Sequence, residues 1–559
     1  MPVAGAVSSE VERATPRPSD RTRDMIGILL VAAAFALPLR GLLRAQGPPM
    51  EEGFMLAFPE LVLEGQIPNR DFLHLYGPGS LWALAGAFKV FGVSLWTERL
   101  FGLAQQLAIV FGLYALARPW GRRIAVLCGW TAVLVIVPFG LTALAWVGAV
   151  GLAVLGLVAG RSARFTPDDV HAQRRALGAG LLFGAALLFR IDLVVAVGLA
   201  TFALCVGMGA ARTKRVVLGV AIGVSPYLIH VITAGPGHVI QGMILDPVFE
   251  LRGGRGLPLP PPWGRLDGFL QRAGALEQIG WPLPQPEASQ QLFLWFFSLL
   301  AVVAFIAIVG FRAVRRSPDS LRARTILLVG AFSVGMLPQA IQRADSAHLA
   351  WVGCVPLGFL PVVLLYVARR RWPNVAVGRL SVASGALVLV ALLFVIPGFT
   401  YRRYADYAAQ TFDVHRTAHR IEHDGRVFYY GKEDRAAAAQ QVIDAADAIT
   451  EPGDRLFVGP SNLRKTPYSD AYLYYMLDKL EPATYFIEMD PGVANAEDSG
   501  LERDLASADV VILSSIWDDW SEPNDSRYDG STKSEEVLAR DFCLVDRYLD
   551  HYVLYQRCS

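Results

Sequence analysis

Residues 50–82, MEEGFMLAFPELVLEGQIPNRDFLHLYGPGSLW, follow the first long apolar run of the chain and carry unusual chemistry for such a place. Two adjacent acids, Glu51 and Glu52, open the stretch, and a further acid, Asp71, and an imidazole, His74, follow. Tyr76-Gly77-Pro78-Gly79 closes it as a turn. Ionisable groups beside a bilayer are costly, so they stay where they have a partner or a task.

The apolar run before this stretch, Met25–Leu43, is one of many. Further candidate spans lie at about 100–117, 124–139, 141–160, 176–190, 192–211, 216–233, 291–311, 325–341, 349–368 and 378–397. Each approaches the ~20 residues that cross a bilayer as a helix. The chain of 559 residues is 53% hydrophobic and 18% charged, with a net charge of +1. That composition implies a polytopic α-helical membrane protein, and it gives no basic surface of the kind nucleic acids require.

Basic clusters fall on alternate connections: Arg118/Arg122/Arg123, Arg161/Arg164/Arg174/Arg175, Arg212/Lys214/Arg215, Arg312/Arg315/Arg316/Arg322/Arg324 and Arg369/Arg370/Arg371. Placed in the cytosol, as positive loops prefer, they give about eleven crossings with a cytosolic N-terminus in a plasma membrane. Residues 1–24 then read as a disordered cytosolic leader, and 25–400 as the transmembrane domain. The loops 45–80 and 234–290 lie outside, as does the tail 401–559. Within them, 80–92 reads as an interfacial helix, and Trp263–Ile279 as a second helix on the membrane surface.

The tail changes character. Ala436–Ile449 reads as a helix, and Asp454–Val458, Ser507–Leu513 and Tyr552–Tyr555 read as strands, which together suggest a small α/β domain. Cys543 and Cys558 are placed to pair if this tail is outside the cytosol. Cys128, Cys205 and Cys354 lie in apolar spans and read as small buried side chains. No zinc spacing is present, so no metal ligands are assigned.

Four outer-facing sets can carry chemistry. They are Glu51, Glu52, Asp71 and His74; Arg190 and Asp192 in a tight turn; Arg343, Asp345 and His348 in another; and Asp246, Glu250, Arg252, Arg255 and Arg265 in the large loop. A carboxylate near outer guanidinium groups suits transfer from a phosphate-linked donor. The acid takes a proton from an acceptor hydroxyl, and the arginines neutralise the departing phosphate. Asp71 also fits a plain turn, and the arginine pairs also fit simple ties between helix ends. In the tail, Trp517-Asp518-Asp519-Trp520 fits either a solvated loop or a platform for sugars.

Glu51-Glu52-Gly53 after the first span, Arg70-Asp71-Phe72 and Tyr76-Gly77-Pro78-Gly79 together resemble the GT-C superfamily of membrane glycosyltransferases, especially glycosyltransferase family 39 and protein mannosyltransferase-like members. The outer turns Phe189-Arg190-Ile191-Asp192 and Arg343-Ala344-Asp345-Ser346-Ala347-His348-Leu349 are similar too. The resemblance implies an inverting hexosyl- or pentosyltransferase that moves a sugar from a polyprenyl-phosphate donor to a lipid, polysaccharide or protein of the cell envelope.

The resemblance further implies catalysis by the acid after the first span, with Asp71 orienting the acceptor or helping to bind a metal, if one is used. His74, Tyr76, Arg190, Asp192, Arg252, Arg255, Arg343, Asp345 and His348 would bind substrate. No nucleotide cofactor is expected, and a divalent cation is left open. The family usually has Asp at the first acidic position. The chain has Glu51, so Glu51 and Glu52 both stand as the base, with Glu51 favoured by its place in the motif. Two other classes compete: a transporter or lipid flippase, which needs charges deep inside spans, and a non-catalytic envelope scaffold.

Overall fold

The computed structural model describes residues 18–273, 283–414 and 418–558. Eight of its helices are long and apolar enough to cross a membrane: Leu95–Trp120, Arg122–Phe139, Ala145–Phe165, Ala210–Ala234, Ala288–Arg316, Leu321–Gln342, Ser346–Arg371 and Val377–Val395. Asp24–Ala36 and Ile191–Cys205 are shorter apolar helices. Asp169–Phe189 packs among them. The protein is a polytopic α-helical membrane protein with a C-terminal sheet domain. The expected run Met25–Leu43 is not one span. A helix starts at Pro18, inside the segment expected to be a disordered leader, and ends at Ala36; a short one follows at Leu39–Leu43. Pro38 supplies no N–H to continue the first.

Small residues bring the helices together. A Cβ on Gly180 would stand 2.1 Å from the Val216 carbonyl oxygen, and one on Gly184 2.7 Å from the Gly223 Cα. Without a hydrophobic drive between helices in lipid, such backbone approach is how spans gain dispersion contact. Large apolar side chains such as Phe202 and Ile232 are left exposed on the outer surfaces of this bundle.

The segments expected as outer loops are largely helical. Glu51–Leu63 is a helix, with both acids in its first turn, where the helix dipole favours negative charge. Its buried Phe54, Met55, Phe58 and Leu61 recur at helical spacing, a period legible in the sequence. Pro78–Phe91 is also a helix, as expected for 80–92. In the large loop, residues 236–255 form a continuous helical stretch through Pro236–Ile240, Gln241–Glu250 and Leu251–Arg255. Of the surface helix expected over Trp263–Ile279, Gly268–Ala273 is helical. Residues 263–267 are not helical, so the helix starts five residues later than expected, at Gly268, and 274–279 lie outside the described residues.

The tail contains a hairpin, β1 (His419–His423) with β2 (Arg426–Tyr430), and a five-stranded mixed sheet. That sheet comprises β3 (Arg455–Pro460), β4 (Glu481–Pro482), β5 (Val510–Ser514), β6 (Phe542–Tyr548) and β7 (Tyr552–Arg557), in the order β4-β3-β5-β7-β6. Strand β3 runs parallel to β4 and β5, and β7 runs antiparallel to β5 and β6. The helix Glu433–Ile449 buries Ala439, Val442 and Ile443 in the adjoining core. Cys543 and Cys558 form a disulfide that closes the β6–β7 hairpin, as their placement suggested.

The Glu51–Leu63 helix packs into the tail. Phe54, Met55 and Phe58 share one apolar core with Phe428, Val442, Leu456, Tyr472 and Ile512. A Cβ on Gly53 would fall 2.2 Å from the Tyr472 backbone nitrogen, so only glycine allows this approach. Arg426 of β2 locks the far end by donating to both Glu60 carboxylate oxygens, at 2.8 and 2.6 Å.

Candidate active site between the span ends and the tail

Glu51 and Glu52 point to different partners. Glu52 is 1% exposed and Arg99 2%; the guanidinium donates Nε and Nη2 to the two carboxylate oxygens at 2.8 and 2.7 Å. Arg99 also donates to the Leu42 and Leu43 carbonyls. Glu98, the neighbouring acid, is buried and accepts from the Ala143 N–H. The Leu95–Ala117 helix thus begins with a charge cluster that the expected span, starting near residue 100, had left out. Glu52 and Arg99 pair with each other, as buried charges must, while Glu98 has, among the described residues, only the Ala143 N–H. Glu52 is an anchor of the fold.

Glu51 turns instead toward the tail. Tyr468 donates its hydroxyl proton to Glu51 Oε2 and accepts from the Met50 backbone N–H at 3.2 Å. Tyr468 is held by aromatic packing: its ring stacks on Trp520 at 5.0 Å and meets Trp517 at 4.4 Å. Trp520 stacks in turn on Phe269 of the large loop at 4.0 Å. The Trp517–Trp520 segment is therefore solvated only at Asp518 and Asp519, which are exposed. Its indoles are buried and support the residue that holds Glu51.

The Tyr76-Gly77-Pro78-Gly79 turn places a second element. The Gly77 N–H bonds the Phe189 carbonyl at 3.1 Å, and a Cβ on Gly77 would meet the Leu188 carbonyl oxygen at 2.1 Å. This approach sets the Tyr76 ring beneath Arg190, whose guanidinium carbon lies 4.2 Å from the ring centroid. Arg190 also covers Trp146 at 5.4 Å, Trp146 stacks on Trp351, and Trp351 contacts His348 at 4.6 Å. An aromatic and cationic chain thus joins three sequence motifs far apart in the chain.

Arg190 and Arg343 are built alike. Each follows the last residue of a span helix in an extended conformation, and each pairs with the aspartate two residues on. Arg190 donates Nε and Nη2 to Asp192 at 3.0 and 2.7 Å, and Arg343 Nε lies 3.2 Å from Asp345. Gln339 donates to Asp192 at 2.5 Å and ties the two turns together. Asp345 caps the Ser346–Arg371 helix through the His348 N–H at 2.9 Å and contacts the imidazole at 3.0 Å.

The tail adds charges that sequence reasoning missed. Arg255 is buried on Asp490, with Nε donating at 2.8 Å, and donates to the Pro467 and Met489 carbonyls as well. Beside it Glu488 is buried, and its Oε2 has no hydrogen-bond partner. Burial pushes the Glu488 carboxyl well above the usual range; Asp490 and Glu51 push it the same way, and Arg255 and Arg190 oppose. Tyr76 feels the charges of Glu488, Arg190, Asp490 and Glu51, and its backbone neighbourhood reaches this part of the tail through the Leu73 N–H, which bonds the Tyr485 carbonyl at 2.8 Å. Glu522, held on the Leu270 N–H at 2.8 Å, feels Arg343, Asp345 and Arg255. No motif marked Tyr468, Glu488 or Asp490 in the sequence. Arg99 had a readable signal: a charge at the start of an apolar run.

The other expected residues lie apart or play structural parts. Asp71 accepts from the Ile67 N–H at 2.7 Å and from its neighbour Arg70 at 2.9 and 2.8 Å, which holds its carboxyl below the usual range; the other charge it feels is His238. This is a turn-capping arrangement. His74 is fully buried, edge-on to Phe58 and Tyr76, and burial drops its pKa to about 3, so the ring is neutral. Arg252 is exposed, Asp246 is buried on Gln241, and Arg265 pairs with Asp267.

Among the described residues, the side chains grouped like metal ligands are His423, Asp424 and Asp447, at the β1–β2 hairpin. Lys479 already ion-pairs with Asp447. At the Glu51 cluster, Asp490 Oδ1 is taken by Arg255.

No protein-family model and no curated protein matches the sequence. Solved structures do. ArnT from Cupriavidus metallidurans bound to undecaprenyl phosphate superposes with a TM-score of 0.55 at 14% identity, covering 95% of this chain and 98% of that one. The apo state of the same protein gives 0.51 at 14% identity, over 96% and 98%. The Archaeoglobus fulgidus oligosaccharyltransferase, in complex with Zn and sulfate, gives 0.40 at 12% identity, over 88% of this chain and 68% of that one. Span bundle, outer helices and tail together thus share the fold of ArnT over nearly the whole length of both chains.

Proposed function

We propose that the protein is an inverting glycosyltransferase that takes its sugar from a polyprenyl-phosphate donor. The observation that carries this reading is that the tail's Tyr468 holds Glu51, while Tyr76 lies under Arg190, whose turn Gln339 ties to that of Arg343. The full-length likeness in fold to a protein that binds undecaprenyl phosphate supports it.

Glu51 acts as the base. It takes the proton of an acceptor hydroxyl; the oxygen attacks the anomeric carbon, and the bond from that carbon to the phosphate oxygen breaks. The phosphate leaves with the electron pair, stabilised by Arg190 and Arg343. No step is routed through a cation. Arg255 serves less as a ligand than as the clamp that neutralises Asp490.

The site faces away from the cytosol in this reading, because the basic clusters sit at the opposite ends of the spans and a disulfide stabilises the tail. That side lacks nucleotide sugars, so a lipid-linked donor is required. Charged side chains gather at this end, which suits an enzyme at one surface better than a transport path.

The test is a Glu51→Gln variant in a lipid-reconstituted assay with a polyprenyl-phosphate sugar. Transfer falls by at least about 100-fold, the low end for a lost general base, with normal yield in the membrane. Undiminished transfer by that variant sinks the proposal. Comparing lipid-linked sugars in cells with and without the gene identifies the sugar, since the unused donor accumulates.

A further inference from the structure

Glu488 is a buried carboxyl that the reaction above does not use. It is 4% exposed, and its Oε2 is closed off from water with no hydrogen-bond partner. Native structures rarely leave such an atom unpaired, because the desolvated oxygen then costs about 1–3 kcal/mol with nothing in return. Asp490, two residues on, is clamped by Arg255, and the charges of Glu51 and Arg190 also act on Glu488.

The reaction itself says what belongs beside such a group. In an inverting displacement the incoming oxygen and the departing phosphate stand on opposite faces of the anomeric carbon. The base marks one face and the arginines mark the other, so the sugar ring lies between them. The Glu488 segment borders that space: the Leu73 N–H, three residues before Tyr76, bonds the Tyr485 carbonyl at 2.8 Å, and Arg255 reaches from Asp490 to the Pro467 carbonyl next to Tyr468, which holds Glu51. We propose that Glu488 is a catalytic-site residue contributed by the tail, whose unpaired oxygen hydrogen-bonds a ring hydroxyl of the transferred sugar. This rests on the glycosyltransferase reading and makes the tail part of the sugar-recognition site. Burial favours the neutral carboxyl, which both donates and accepts, and so matches a hydroxyl without adding charge beside the departing phosphate.

The experiment compares Glu488→Ala, Glu488→Gln and wild type in the reconstituted full-length protein, with transfer kinetics across pH and binding of undecaprenyl phosphate alone as separate readouts. Expected for Glu488→Ala is a fall in kcat/KM of about 10- to 100-fold, the range for losing one hydrogen bond of this kind, with undecaprenyl phosphate binding retained. Glu488→Gln, whose amide still donates, loses less than Glu488→Ala. It also lacks the fall in activity at alkaline pH that deprotonation of Glu488 gives the wild type.

Kinetics in Glu488→Ala within twofold of wild type overturn the assignment. So does equal loss of transfer and of undecaprenyl phosphate binding in both variants, which marks a purely structural role. Wild-type transfer combined with an indifferent Glu488→Ala defeats only this inference; absence of transfer by wild type defeats the glycosyltransferase reading and this inference with it.

Discussion

The Tyr468 hydroxyl, from the tail, donates a hydrogen bond to the Glu51 carboxylate at the head of an outer helix 417 residues earlier in the chain. One residue on, Glu52 faces the opposite way and is consumed by Arg99. Two adjacent acids thus have separate duties: Glu51 is aimed by the tail, and Glu52 fastens the outer helix to the spans.

Tyr468→Phe keeps the ring that packs on Trp517 and Trp520 but removes the donor. A hydrogen bond to a charged group contributes about 1.5–3 kcal/mol, so kcat should fall about 10- to 100-fold with KM little changed. Steady-state kinetics and the pH profile decide this. An unchanged kcat together with an unchanged acid limb would show that Tyr468 does not orient Glu51.

Glu52→Gln leaves Arg99 buried without its counter-charge. Breaking a buried pair in this way costs about 3–5 kcal/mol, and the loss should appear as a lowered melting temperature and poor yield in the membrane. Replacing both partners with apolar residues of similar size should recover much of it. Glu51→Gln, by contrast, should melt like wild type, so thermal denaturation of the two single variants separates the acids.

Gly53 and Gly77 are both points of backbone contact. Adding a methyl at Gly53 meets the Ala471–Tyr472 backbone, and adding one at Gly77 meets the Leu188 carbonyl. Overpacking of this sort costs about 1–3 kcal/mol. Gly53→Ala should loosen the tail, seen as faster proteolysis of the residues after about 400. Gly77→Ala should displace Tyr76 from Arg190 and weaken undecaprenyl phosphate binding, with the tail still protected.

Asp470 lies beneath the active site, accepting from Trp517 Nε1 at 3.2 Å, and burial pushes its pKa from 3.8 up to about 6. The folded protein therefore holds this proton more tightly than the unfolded chain. Its contribution favours folding at low pH, is lost as pH rises from about 4 to about 6, and is absent above. A shift of about 2 units corresponds to roughly 3 kcal/mol. Melting temperature measured from pH 4 to 7 should fall less steeply in Asp470→Asn than in wild type; identical slopes would contradict the assignment.

The sequence by itself determined the solvent in which the protein folds and the place of its reactive stretch. Recurrent apolar runs specify spans because unpaired backbone in lipid must close on itself as helix. The tail's α/β character and the Cys543–Cys558 pair were legible for the same local reasons. The motifs pointed to Glu51, Tyr76, Arg190 and Arg343. What the sequence did not determine was which charges meet. Glu51 and Glu52 look alike as neighbours, and their different duties arise because successive helix positions face about 100° apart, toward different bodies. The roles of Tyr468, Glu488 and Asp490 depend on how residues more than 400 positions from the first motif fold over the span ends, a long-range packing outcome with no local sequence signature. Asp71, prominent in its motif, is spent on its own turn, because a hydrogen bond to a neighbouring backbone N–H is closer than any substrate.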